Sequence, residues 1–221
     1  MGVHLINELN RLKKMLFSFS EKIEANLENA LRSLLENNRE TAQQVIEGDA
    51  DIDRMEVEIE EECLKALALY QPVAIDLRYL IAILKLTGDL ERIGDLAVNI
   101  AISALNIIER NGHLEYPIEV KEMSDIVRGM LRKTLQALTE SDAELAKEVL
   151  TSDTVVDDIH RNNYIRVEDK ILADLTHRSF YIFFLSVSRY LERIADHATN
   201  IAEDVIYNIT GEIVRHRKTK M

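Results

Sequence analysis

Two acidic pairs stand out by residue type and spacing. Glu91 and Asp95 lie four residues apart in Leu90-Glu91-Arg92-Ile93-Gly94-Asp95-Leu96-Ala97-Val98-Asn99-Ile100-Ala101. Glu192 and Asp196 lie four apart in Leu191-Glu192-Arg193-Ile194-Ala195-Asp196-His197-Ala198-Thr199-Asn200-Ile201-Ala202, the same phrase 101 residues later. On a helix that spacing stacks two like charges one turn apart, where they repel and add nothing to helix stability. Asp49/Asp53 and Asp153/Asp157 repeat the pattern. Oxygen-only donor sets suit hard cations such as Mg, Mn, Ca or ferric iron better than zinc or copper. The competing reading is a solvated acidic groove neutralised by Arg92, Arg193 or Arg54. Residue types alone leave both open.

The elements that carry these residues are helices. Leu90, Ile93, Ala97, Ile100, Ala104 and Ile107 step by three and four, the seam of a helix packed on other helices. The first helix is expected from Val3 to Asn37, then a short piece Glu40 to Glu47 ended by Gly48. A third helix follows from Asp49 to Tyr70, stopped by Gln71-Pro72, and a fourth runs from Ile75 to Arg110. Asn111-Gly112 and Tyr116-Pro117 punctuate the middle of the chain. The order then repeats as Ile118–Thr139, Ala143–Leu150, Asp153–Ala173 and His177–Ile209. Leu27, Leu31, Leu34, Ala42, Val45, Asp49 and Asp53 recur 104 residues later as Leu131, Leu135, Leu138, Ala146, Val149, Asp153 and Asp157. The fold class is therefore all-α, a tandem duplication of a three-helix bundle with six main helices, divided at 1–112 and 113–221.

The numbering also sets the heights of the acids. Helices joined by a short turn are antiparallel neighbours. The pairs 53/91 and 49/95 share the midpoint 72, and 157/192 and 153/196 share the midpoint 174.5. Four carboxylates are thus level in each bundle, ~30 Å from its turn. Glu91 and Asp95 also continue the line Leu80, Leu84, Thr87, then Val98 and Ile102, so they interrupt a semi-buried face. Asn99 extends that line in the first bundle, and Asn200 with Asp204 in the second.

Composition narrows the class. Seven Gly, two Pro and no Trp fit long helices with few turns, and 47% hydrophobic residues fill a core. A net charge of −12 argues against nucleic acid or an anionic membrane as partner, and the short terminal run Arg215-His216-Arg217-Lys218 does not reverse it. One cysteine, Cys63, excludes an internal disulfide and sits at a core position. No secretory signal opens the chain and no apolar stretch is long enough to span a bilayer, so a cytoplasmic protein without membrane insertion is expected. His160 follows Asp157 by three, a di-metal spacing, but Glu56 stands at its place in the first bundle and a solvated histidine is the simpler reading. His197, next to Asp196, points ~100° away from it. Ser179, Ser186 and Ser188 lack a His/Asp arrangement, and no glycine-rich phosphate loop occurs.

The doubled six-helix plan, the two Leu-Glu-Arg-Ile phrases, Gln71-Pro72-Val73-Ala74-Ile75-Asp76-Leu77-Arg78 and the closing Gly211-Glu212-Ile213-Val214-Arg215-His216 resemble the PhoU family of phosphate-uptake regulators. The resemblance implies a metal-binding E/D-x-x-x-D motif, matched here by Asp49/Asp53, Glu91/Asp95, Asp153/Asp157 and Glu192/Asp196. It implies divalent or ferric ions (iron, Mn or Mg), in single or multinuclear sites, and no organic cofactor. It further implies a homodimer that restrains phosphate import and phosphate-starvation signalling without being an enzyme. The expected partners are the ATPase subunit of the phosphate ABC transporter and a phosphate-sensing histidine kinase. A carboxylate-bridged di-iron oxidase of the ferritin-like kind is the enzymatic alternative, but it uses Glu-x-x-His pairs and neither bundle has one. A metal-independent helical adaptor is the third reading.

Overall fold

The structure, a computed structural model, describes residues 2–110, 116–118 and 120–211. The Asn111-Gly112 break, the basic run 215–218 and the closing motif beyond Gly211 lie outside them. The described residues form α1 (Gly2–Leu35), α2 (Arg39–Glu47), α3 (Asp49–Tyr70), α4 (Ala74–Arg110), α5 (Val120–Glu140), α6 (Ala143–Ala173) and α7 (Arg178–Thr210). A 3₁₀ turn, Leu175–His177, precedes α7. No strand occurs among the described residues, and no helix there is long and apolar enough to cross a membrane.

The duplication is visible in the caps as well as in the core. After α1, Asn37 takes a left-handed conformation and Asn38 caps α2, its Oδ1 accepting from the Thr41 N–H at 3.0 Å. At the equivalent places Ser141 is left-handed and Asp142 caps α6, accepting from the Glu144 and Leu145 N–H groups at 2.9 and 3.0 Å. Each cap satisfies donors that the first helical turn leaves without partners.

Gly48 ends α2 where expected, and one boundary in the second repeat differs from expectation. Gly48 keeps right-handed angles (φ −76°, ψ −10°) and its N–H donates to Gln44 O at 3.0 Å, so α2 and α3 are parted by one residue only. In the second repeat the piece expected at Ala143–Leu150 does not stop, and α6 runs unbroken through Asp153 to Ala173. Ser152 stands where Gly48 does and costs less in a helix than glycine. Its hydroxyl donates to the Glu148 carbonyl one turn back, so it stays within the helix.

The expected antiparallel pairing holds. α3 turns back on α4, and α6 on α7, with α1 and α5 completing the two bundles. Gln71 closes α3 in the left-handed region (φ 47°) and Pro72 prevents continuation. Asp174 closes α6 and accepts from the Thr176 and His177 N–H groups. The two repeats share one hydrophobic cluster, because α4 and α7 pack extensively on each other. Arg128–Glu28 (3.2 Å) and Arg132–Glu24 (2.9 Å) tie α5 to α1, and the Arg110 guanidinium stands 5.2 Å over the Phe183 ring.

Candidate metal centres

Close packing at one residue brings α4 against its neighbours beside the first acidic pair. A Cβ on Gly94 would stand 3.1 Å from Ile23 Cδ1 of α1 and 3.2 Å from Ile52 Cγ2 of α3. Ile52 directly precedes Asp53, so this contact sets the α3–α4 spacing where the carboxylates face each other. In the second bundle the equivalent residues are Ala195, Val127 and Val156, all buried. The methyl missing at position 94 is carried instead by its two neighbours.

The electrostatic neighbours are those that the heights require. Desolvation first, then Asp95, Glu56 and Asp53, push the Glu91 carboxyl up to about 7 against the opposing Arg92. Asp49 is raised by burial, then by Asp53 on its own helix and Asp95 across from it. Its Oδ1 is buried and accepts no hydrogen bond. In the second bundle burial raises Asp153 to about 6, aided by Asp157 and by Asp196 and Glu192 on α7. Desolvation, Asp196 and Asp157 raise Glu192 against Arg189 and Arg193; desolvation and Asp157 raise Asp196 against His197 and Arg193. All eight expected residues therefore form two four-carboxylate patches, one between α3 and α4 and one between α6 and α7.

Part of the first patch is neutralised from within. Arg92 Nη1 lies 3.1 Å from Asp95 Oδ2, and its Nε 3.4 Å from Glu91 Oε2. Arg54 instead pairs with Asp51 at 3.1 Å. Among the described residues no three His, Cys, Asp or Glu side chains converge as a finished metal site does. The donor set fits a cation: it is all-oxygen in the first bundle, its charges are raised against ionisation, and one buried oxygen lacks a donor.

Three expectations about flanking residues change. Asn99 donates to the Asp95 backbone carbonyl at 3.0 Å and so belongs to its own helix. Asn200 reaches α4, where its Nδ2 lies 3.4 Å from Asp89 Oδ1, and Asp204 Oδ1 lies 3.6 Å from Lys85 Nζ. His197, correctly turned from Asp196, places Nδ1 2.8 Å from Asp89 Oδ1. These contacts between α4 and α7 span 108 to 119 residues of sequence, and no local spacing announces them. Ser188 does have a histidine partner, since its Oγ is 2.9 Å from His160 Nδ1, but it is fully buried. Cys63 is an inert core thiol, pushed up to about 12 by burial and nearby Glu60 and Glu62.

Comparison with known proteins meets the same plan. The PhoU domain family model matches twice, over residues 16–104 and 120–205. The chain is 38% identical over 213 residues to a phosphate-specific transport system accessory protein PhoU homolog of Pseudomonas putida, covering 96% of this chain and 83% of that one. It is 36% identical to PhoU homolog 1 of Thermotoga maritima, covering 95% and 90%. The crystal structure of PhoU from Pseudomonas aeruginosa superposes with a TM-score of 0.90 at 35% identity, over 93% of this chain and 99% of that one. That of the phosphate transport system regulatory protein PhoU from Streptococcus pneumoniae gives 0.84 at 28%, over 95% and 99%. A doubled helical bundle whose two halves each match one domain family, carried along nearly the whole chain, belongs to the PhoU family.

Proposed function

We propose that this protein is an accessory regulator of phosphate transport that restrains uptake and phosphate-starvation signalling by binding other proteins. The observation that carries this is likeness at 38% identity across 96% of the chain to an accessory protein of a phosphate-specific transport system. Its partners on this reading are the transporter ATPase subunit and a phosphate-sensing histidine kinase, met in the cytoplasm by a homodimer. The acidic patches hold hard cations: Asp49, Asp53, Glu91 and Asp95 in the first bundle, Asp153, Asp157, Glu192 and Asp196 in the second. A bound cation supplies the positive charge that lets neighbouring carboxylates ionise together. The chain's own part is to hold α3 to α4, and α6 to α7, by those side chains. It also presents the adjoining half-exposed surface, Leu84, Val98 and Ile102, as a docking face.

Deletion of the gene should leave phosphate import and the starvation response active in phosphate-rich medium. Asp53→Asn with Glu91→Gln should abolish cation uptake in the first bundle only. Normal repression in the deletion strain refutes the regulator. Metal content unchanged by the double substitution refutes the first cation site, and metal-dependent oxidase turnover would instead favour the enzymatic alternative.

A further inference from the structure

Between α1 and the junction of α2 with α3 lies a cavity of about 110 Å³. Lys22, Asn26 and Asn29 of α1 and Gln44 and Gly48 of the junction form much of its wall, and no carboxylate side chain lines it. Asn26 sits on the core face of α1 and is only 8% exposed. Its Nδ2 is buried and finds no acceptor among the described residues. A buried donor left unpaired opposes folding, and in native proteins it calls for a water or an ion to explain it.

The duplication supplies a comparison within the same molecule. One hundred and four residues later Asn26 becomes Met130, a buried core residue, and Lys22 becomes Ile126. Asn29 and Gln44 become Lys133 and Glu148, whose Nζ and Oε2 pair at 2.8 Å. That version of the wall satisfies its own polar groups. In the first bundle the two amides do not pair with each other. Asn29 Oδ1 accepts instead from Arg32 Nη2 at 2.9 Å, which leaves its Nδ2 to donate elsewhere. Lys22 makes no ion pair among the described residues. The polar groups that the second bundle replaces or pairs are thus the ones that the first bundle gathers at a cavity.

What the wall offers tells the possible occupants apart. Lys22 Nζ, Asn26 Nδ2 and Asn29 Nδ2 are all donors, and Lys22 repels a cation. The space has room for roughly 3–4 waters. Each water, however, brings two protons of its own, and no carboxylate lines the wall to take them. A tetrahedral oxyanion brings acceptor oxygens and the negative charge that balances Lys22, and hydrogen bonds to an ionised acceptor are the strong ones. We propose that this cavity binds one small inorganic oxyanion of the phosphate or sulfate class, held by Lys22, Asn26 and Asn29. The exposed side chains of Lys22 and Gln44 mark its entrance. Such a site owes nothing to the acidic patches or to the regulatory role, and stands or falls apart from them.

The test uses the full chain, treated with chelator so that no anion is held through a bound cation, and titrated with inorganic phosphate and with sulfate in chloride buffer. In ¹⁵N-labelled wild type the side-chain amide signals of Asn26 should shift and saturate, and calorimetry should give one equivalent bound. Asn26→Met and Lys22→Ile copy the residues that the second bundle accommodates at the same places. Each should weaken binding ~10-fold or more. Lys133→Gln, on the paired wall of the second bundle, should leave the affinity unchanged. An unmoved Asn26 amide with no heat of binding for either anion means that the cavity holds water only, and overturns the assignment. Binding that Asn26→Met and Lys22→Ile both keep at wild-type strength overturns it as well. The ratio of the phosphate and sulfate affinities names the anion, and the wild-type spectrum decides the matter even if a variant folds poorly.

Discussion

Gly94 and Ile23 should behave as one unit rather than two. Replacing Gly94 by alanine places a methyl 3.1 Å from Ile23 Cδ1 and 3.2 Å from Ile52 Cγ2. Overpacking of this kind costs about 1–3 kcal/mol. Alanine returns about 1 kcal/mol of helix propensity over glycine. The net expectation for Gly94→Ala is a loss of about 1 kcal/mol. Ile23→Val removes Cδ1 from a fully buried side chain and should cost about 1 kcal/mol by itself. Together the two changes reproduce the pairing of Ala195 with Val127 in the second bundle, and the new methyl takes the place of the lost one. The double variant should therefore lose ~1–2 kcal/mol less than the sum of the singles, a coupling well above the 0.3–0.5 kcal/mol scatter of independent sites. Urea titration of the four proteins measures it, and each kcal/mol should appear as a melting shift of about 2–4 °C. Strict additivity would show that the close approach of Gly94 to Ile23 relaxes without cost and does not set the α1–α4 spacing.

Two further outcomes follow from the charges and the shared core. Glu91 binds its proton more tightly folded (about 7) than unfolded (near 4.5), so ionising it weakens the fold as pH rises through that window. Its side chain is 14% exposed. After discounting for solvent screening, chelator-treated wild type should lose ~1–2 kcal/mol relative to Glu91→Gln between pH 4.5 and 7. A flat difference across that range, measured by denaturant titration, would mean that Arg92 already neutralises the patch. The division at 1–112 and 113–221 is likewise a proposal. Residues 1–112 expressed alone should melt cooperatively but at lower temperature, having lost α7 from the exposed side of α4; a melt without a transition would mean that the two bundles cannot fold apart.

What the sequence disclosed was local or arithmetical. The seam of α4 is a periodicity written in consecutive residues, and so is the repeat 104 residues on; the caps at Asn38 and Asp142, though short-range, came only from the structure. The heights of the carboxylates needed one further assumption, that a short turn makes antiparallel neighbours, and the fields of Asp95 on Asp49 and of Asp196 on Asp153 agree with it. Apolar periodicity says that Ala97 and Ala104 are buried but not against what, so the extensive α4–α7 packing was not legible. Gly48 ends α2 as expected, but the conformation by which it does so was not legible. Glycine permits the left-handed stop but does not require it, and here the chain keeps right-handed angles. The network around Ser188 joins residues from α5, α6 and α7, and only the packed structure brings a histidine to that hydroxyl.

The energetics bear on why the patches are there at all. Six carboxyls, Asp49, Glu56, Glu91, Asp153, Glu192 and Asp196, are raised by desolvation, and in each case a neighbouring acid adds to the shift. As ionised groups they oppose the fold, and as amides of the same shape they would not. Arg92 offsets part of this for Glu91 and Asp95, but Asp49 Oδ1 stays buried without a donor. A ligand that binds only the folded chain reverses the balance: at one hundred times its dissociation constant it adds about 2.7 kcal/mol, more than the ~1–2 kcal/mol attributed to Glu91. The surface beside it, Leu84, Val98 and Ile102, then borders a neutralised patch instead of a row of repelling charges. On the proposed function, a partner would meet two different faces in the loaded and unloaded states, and cation supply would set the strength of that contact.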